Sequence, residues 1–491
     1  MAGGSNSIGL FTDALGLILT SVMTEQRRDD RWLLLVLLCL PTMSILLSTN
    51  IVMASLVPIG KAFPNVPSIG EWTLIVYSLT AASLSIPAGD LGDRYGLRRL
   101  YTYGLIIFIA GACLAAVANS ASLLILGRIL SGVGSAVLAP VALAFMNRLF
   151  SGKEKPVAFG YWSASVTLGT VIGPLLGGWI ESVSNWRFVF PAAAIPTIFA
   201  LVMLYRLPTY ASNQKLPPMD IRGFIGLALL PFLTLYTITM GSGLTASILI
   251  TLLAVIVGLF FWTWRHLHVS NHPAINLRRL LHAQWWRPSM LQLLIRCLFM
   301  AMLVLLTGYF HSIQGKSELD STLALLPFCL AVGAMSFTSG FACKRLGVRR
   351  LMVMTFLIAF AGALTLLSVD AIGFRWMDWL AVVAVGVLVG NTAQLSRLAM
   401  ANFPAEESMR GASVNTLIIN LGLSLGAALP TLVRSIKLPQ LRLSDIIPKQ
   451  ELLDIMHIEI MVLILLFSLG LWQAFQIKEY SDSSQQIVRQ N

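Results

Sequence analysis

The sequence predicts an all-α integral membrane protein whose helices cross the bilayer about fourteen times. Three observations predict it. Hydrophobic residues fill 56% of the 491 positions and charged residues only 11%, whereas a soluble domain is about a quarter charged. Apolar runs of about 20 residues, enough to cross the hydrocarbon core, recur along the whole chain. Basic residues gather in alternate connections between those runs.

The formal charge of +12 would point to nucleic acid in a soluble chain. Between apolar spans it reads instead as cytoplasmic loop charge, and no nucleic-acid partner is expected. Cys39, Cys113, Cys297, Cys329 and Cys343 are scattered, mostly within spans, without disulfide or zinc spacing, and read as buried thiols. Residues 8–23 are moderately apolar, but no basic segment precedes them and Asp13 interrupts them. They fit a short interfacial helix better than a signal peptide.

The spans read in order as 32–56, 70–89, 99–117, 121–145, 157–180, 187–206, 221–240, 244–264, 288–311, 319–340, 350–369, 376–399, 409–433 and 456–476. The seventh and eighth are joined by the very short turn Gly241-Ser242-Gly243. With the N-terminus inside, the inner connections hold Arg94, Arg98, Arg99, Arg148, Lys153, Lys155, Arg278, Arg279, Lys344, Arg345, Arg349 and Arg350, among others. The outer ones hold few basic residues, half of them in one loop near 434–455. Both termini are therefore expected in the cytoplasm. The inner loop 265–287, rich in Arg, His and Trp, fits an interfacial helix. His266, His268 and His272 are closely spaced with no accompanying carboxylate, so no metal site is expected, and no cofactor. Gly315-Lys316-Ser317 resembles the end of a phosphate loop, but Phe310 stands where that motif needs glycine, so no ATPase domain is expected.

Three motifs carry chemistry. GDLGDRYGLRR, residues 89–99, joins spans 2 and 3. Gly89, Gly92 and Gly96 allow a tight turn and close helix approach. Asp93 can pair with Arg94, Arg98 or a residue of a neighbouring helix, and Arg99 closes the run; such a latch can break and reform as a gate moves. The alternative is an ordinary basic loop. GRILSGVGSAVLAP, residues 127–140, places Arg128 in or near the membrane, where a charge is costly and functional by default; the alternative is a snorkelling side chain. GTVIGPLLGG, residues 169–178, sets Gly169, Gly173, Gly177 and Gly178 at helix-packing intervals around a Pro174 bend. It reads as a packing seam, a flexing point, or both.

Together these motifs resemble the signatures of the major facilitator superfamily, and the chain is similar to its fourteen-span drug-proton antiporters. Trp186-Arg187-Phe188 fits the same resemblance. The resemblance implies two six-helix bundles, residues 32–206 and 288–476, around an extra pair within 207–287, with cytoplasmic segments 1–31 and 477–491. GFACKRLGVRR, residues 340–350, looks like a degraded copy of residues 89–99, with Lys344 at the position of Asp93. The implied mechanism is alternating access by a monomer, with substrate near the midplane.

The chain departs from that family in span 1. The resemblance implies an aspartate where LLSTNIVMASLVP, residues 46–58, has Ser48, followed by Asn50. No Asp or Glu is read deep in any span, so the obvious proton carrier and counterion are absent. Arg128 and Arg296 are the charges read within spans, and they favour an anionic or zwitterionic substrate if they face the cavity. Asn391, Gln394 and Asn415 either line that cavity or hydrogen-bond helix to helix. The leading expectation is a proton-coupled secondary exporter of small organic molecules in a bacterial inner membrane. An importer or exchanger of an anionic or zwitterionic metabolite, or a receptor or scaffold without turnover, are the alternatives. Membrane lipid, a small-molecule substrate and protons are the expected partners.

Overall fold

The computed structural model describes residues 31–477 except 67–68, 209–218, 241–244, 271, 276–279, 317, 370–373, 402, 404–407 and 438–448. The interfacial helix expected at 8–23, the turn 241–243, Arg278 and Arg279, most of the loop near 434–455, and the tail from 478 onward lie outside the described residues.

The chain is a bundle of α1 (Arg31–Met53), α2 (Ile69–Tyr95), α3 (Leu97–Ala116), α4 (Ala121–Leu149), α5 (Lys155–Val183), α6 (Val189–Val202) and α7 (Ile221–Met240). It continues with α8 (Ala246–Val269), α9 (Ala283–Gly308), α10 (Leu326–Leu346) and α11 (Val348–Thr365). Last come α12 (Trp376–Met400, interrupted at Asn391), α13 (Ser408–Lys437) and α14 (Lys449–Phe475). Among the described residues, 12 helices are long and apolar enough to cross a membrane, and Trp186–Val202 and Ile221–Thr237 are shorter apolar helices. α6 is 14 residues long, about 21 Å at 1.5 Å per residue, less than the hydrocarbon thickness.

Two apolar cores organise the bundle. One gathers Leu38, Ile51, Phe108, Phe145, Phe159 and Phe190 from α1 to α6. The other gathers Leu291, Ile295, Phe328, Phe356, Val385 and Phe467 from α9 to α14. Small residues let backbones touch within each core. A side chain at Gly111 of α3 would meet the Ser131 backbone nitrogen of α4 at 2.4 Å, and one at Gly134 of α4 would meet the Phe108 nitrogen at 2.6 Å. Ser120 caps α4 by accepting from the Leu123 N–H.

The helix pair α2–α3 and the pair α10–α11 turn alike. Gly96 sits at φ 92° and Gly347 at φ 79°, each leading directly into the next helix. A residue with a Cβ is strained there, so the two glycines carry the internal repeat into three dimensions.

α7 lies along α2 and also touches α13, with Leu235 seated on Leu79 and Ala82. α8 packs on α7 and turns Ile250, Leu253, Val257 and Phe261 outward, the surface that lipid covers. The chain after α8 returns across the basic end of the bundle. Ala274 and Ile275 join Phe224, Leu267 and Trp285 in a cluster with Ile86 of α2 and Ala399, Phe403 and Val414 of the second half. Asp220 ties this strap down: it accepts from the Gly223 and Ala274 backbones at 2.9 and 3.0 Å and from His266 at 2.7 Å. Burial works against its charge, but these hydrogen bonds and the His266 charge outweigh it and hold the carboxyl below its ordinary range. His266, read from sequence without a carboxylate nearby, thus has one. Among the described residues, no three metal-ligating side chains cluster.

Candidate functional site

The two halves meet along two seams at the end that carries the 89–99 turn. In the first, α2 and α4 face the start of α13. Gly89 is so close that a Cβ would meet Ser413 Oγ at 2.4 Å. Asp90, fully buried, pairs with Arg94 of its own helix and with Arg410 of α13. Asp93 accepts from the Met409 and Arg410 backbone N–H groups at 3.4 and 3.3 Å, and Arg148 of α4 stands 4.0 Å away. Asp93 therefore sits on the N-terminus of α13, where a helix favours negative charge. Arg148 also donates to Ser408 Oγ at 3.0 Å. Of the open choices for Asp93, the neighbouring helix is its partner. Arg98 reaches the Tyr205 carbonyl at 3.5 Å, and Arg99 is exposed.

The second seam joins α5 to α10 and α12. A Cβ at Gly340 would meet the Pro156 carbonyl oxygen at 2.6 Å. Ser163 Oγ donates to Ser336 Oγ at 3.2 Å, and Gln394 donates to the Pro156 carbonyl at 3.0 Å and to Ser339 Oγ at 3.2 Å. Gly89 and Gly340 occupy equivalent positions of the repeat, and each meets the start of a helix in the other half. The first seam is ionic, whereas the hydrogen bonds of the second join uncharged groups; Lys344 stands where the first copy has Asp93.

Arg128 is 1% exposed and lies wholly inside the first half. Its Nε donates to the Thr73 carbonyl at 2.8 Å, Nη1 to Ser48 Oγ at 2.9 Å and Nη2 to the Ser48 carbonyl at 3.4 Å. Its guanidinium carbon lies 4.3 Å from the centre of the Tyr77 ring. Ser48, the residue in the aspartate's place, is thus in contact with Arg128. Snorkelling does not describe this side chain, because its charged tip points into the bundle.

Gly169, Gly173 and Gly177 all face α1: side chains there would meet Met43 O, Asn50 Cβ and Ile51 O at 2.4, 2.6 and 2.3 Å. Gly178 has nothing within 4 Å. Pro174 lies within the continuous α5. Asn50 caps its own helix turn through Leu46 O at 2.7 Å.

Asn391, Gln394 and Asn415 are all fully buried. Asn391 donates to Val387 O at 3.1 Å at the break in α12. Asn415 donates to Ser396 Oγ at 3.3 Å, and Gln292 of α9 donates to the same oxygen at 2.7 Å. Gln292 was not singled out from sequence, although it lies one turn from Arg296 on the same face. Arg296 is 7% exposed, and its guanidinium has no hydrogen bond or ion pair among the described residues.

One sequence expectation is corrected. Glu459 is a buried carboxyl within α14, 4% exposed, in a crevice lined also by Tyr309, Ser312 and Met456. It lies five residues, about 7.5 Å along the axis, past Asp454. The crevice faces a π-helical turn, Tyr309–Ile313, that ends α9.

Comparison with known proteins bears on this arrangement. The sequence profile described as Major Facilitator Superfamily matches residues 38–427. The chain belongs to the Major Facilitator Superfamily. Among relatives of this superfamily member, the Methyl viologen resistance protein SmvA of Salmonella typhimurium is 26% identical over 369 residues, 73% of each chain. The putative multidrug resistance protein MdtD of Serratia proteamaculans is 23% identical over 393 residues, covering 78% of this chain and 81% of its own. Two solved structures share the fold. The human organic anion transporter MFSD10 has a TM-score of 0.64 at 14% identity, covering 90% of this chain and 99% of its own. The proton:xylose symporter XylE has a TM-score of 0.60 at 10% identity, covering 89% and 95%. The protein is a multi-pass membrane transporter, not an enzyme.

Proposed function

We propose that this superfamily member is a proton-coupled secondary exporter of small organic molecules, working by alternating access in a bacterial inner membrane. In this reading the two short apolar helices complete fourteen spans, both termini are cytoplasmic and the chain works as a monomer. The observation that carries it is the pair of seams at the basic end. They join the halves through contacts that can break as units: Asp90 and Asp93 to the start of α13, and Gly340 to the start of α5. Opening them would expose a site between the halves to the inside, and closing them would turn it outward. The names of the bacterial relatives, resistance and multidrug resistance proteins, support export. The coupling proton is assigned to Glu459, the buried carboxyl that sequence reasoning overlooked. Ser48 cannot carry it, since a hydroxyl does not ionise in this range.

Transport in proteoliposomes under an imposed pH gradient tests the proposal. We expect accumulation of a transported probe against its gradient, with proton movement in the opposite direction, and loss of both on adding a protonophore. Downhill flux indifferent to the pH gradient would refute coupling, and no flux of any probe would refute transport.

A further inference from the structure

Resting on the transport reading above, we propose that the substrate's acidic group is bound at Arg296, while Gln292 and Asn415 accept a hydrogen bond from the same molecule. The substrate class is then an organic acid bearing an N–H or O–H near its acid group, zwitterions included.

Arg296 lies 13 residues past the start of α9, about 20 Å along a helix that crosses the membrane. A cation at that depth is costly unless something answers its charge. The protein answers it at Arg128 with three oxygen acceptors. At Arg296 it supplies none among the described residues, and Nε is fully enclosed with no acceptor. No described carboxylate pairs with it: Asp90 and Asp93 are engaged at the basic end, and Glu459 belongs to the crevice on α14.

The surroundings extend the argument. Gln292 precedes Arg296 by one turn on the same face. Its amide nitrogen and that of Asn415 both donate to Ser396 Oγ, so the two amides are held side by side. Their oxygens, Gln292 Oε1 and Asn415 Oδ1, are buried without a donor. One cluster therefore combines an unanswered cation with two unanswered acceptors. Buried polar groups are ordinarily paired, and unpaired ones call for an explanation. A carboxylate or phosphate can take the guanidinium fork through two parallel hydrogen bonds, and a neighbouring N–H or O–H can serve the amide oxygens. A simple cation would leave Arg296 unanswered and repel it. Gly422 brings α13 close against α9 beside Arg296: a Cβ there would stand 2.6 Å from the Leu293 carbonyl oxygen and 2.8 Å from Arg296 Cβ.

The test is equilibrium binding to the full-length protein in detergent, paired with proteoliposome flux of the same probes. The probes are zwitterionic ciprofloxacin, anionic fluorescein and cationic ethidium. We expect ciprofloxacin and fluorescein to bind, and Arg296→Gln to weaken both at least tenfold while Arg296→Lys retains part of the affinity. Asn415→Leu should weaken ciprofloxacin more than fluorescein. Thermal melting serves as the folding control, and Arg296→Gln should melt no lower than the native protein. Binding of acids undiminished in Arg296→Gln, binding of ethidium alone, or binding of no probe overturns the inference. Arg296-dependent binding of acids without flux keeps the site and removes the export reading. Flux of ethidium alone keeps export and removes the site.

Discussion

Arg128 and Arg296 are buried to similar extents, yet their guanidinium groups have opposite surroundings. Arg128 spends its donors on Thr73 O, Ser48 Oγ and Ser48 O, tying α4 to α1 and α2. Arg296 has no hydrogen-bond or ion-pair partner among the described residues. Substituting methionine should therefore act in opposite directions. Arg128→Met strands buried oxygens and should destabilise by about 2–4 kcal/mol. Arg296→Met removes an uncompensated charge and should raise the melting temperature. Differential scanning fluorimetry of the purified variants checks both signs; a lower melting temperature for Arg296→Met would mean the guanidinium is satisfied in the fold. Glu459→Gln should abolish uphill, pH-driven transport while leaving downhill exchange of substrate for substrate within about twofold, a split that a merely structural role would not produce. The place of Ser48 in span 1 was legible from sequence, but its contact with Arg128 was not, since the two lie on different helices. Glu459 was passed over, although it stands within the span read as 456–476.

At the scale of elements, glycine spacing was the most readable signal. The 89–99 turn and its copy at 340–350 were recognised by pattern, and their glycines share a positive φ that only a missing Cβ makes easy. The seam of Gly169, Gly173 and Gly177 likewise faces a single helix, α1. The small-residue pair Gly422 and Gly426 of α13 passed unremarked, though it has the same four-residue interval. A side chain at Gly426 would stand 2.2 Å from the Cys297 carbonyl oxygen of α9, so neither helix can yield without moving backbone. Gly426→Val should force α13 off α9 and sharply lower the yield of folded protein, measured by monodisperse recovery in gel filtration. The neighbouring Leu425, 40% exposed, should accept valine with little change. What pattern could not supply was the direction each polar face takes: Asn391, Gln394 and Asn415 read equally well as cavity lining or as helix-to-helix bonds. In the structure Gln394 bonds across the two halves, and the Asn415 amide nitrogen bonds α13 to α12 while its oxygen is left without a donor.

For the whole molecule, loop charge and the length of the apolar runs carried the architecture, because lipid forces each span to satisfy its own backbone. Span count was less firm where helices are short, as α6 and α7 are. The loop after α8 was read as an interfacial helix; that Ala274 and Ile275 cluster with Ile86, Ala399 and Val414 was not legible, since those residues lie far apart in the chain. In the proposed cycle, transport requires the two seams at the basic end to open and close. Ser163 and Ser336 face each other across the second seam, hydroxyl to hydroxyl at 3.2 Å. The most direct measurement is transport by a Ser163→Cys, Ser336→Cys variant, with the five native cysteines replaced, before oxidation, after oxidation and after reduction. The cross-link should stop transport, and reduction should restore it. Undiminished transport with the seam fully cross-linked would contradict that cycle.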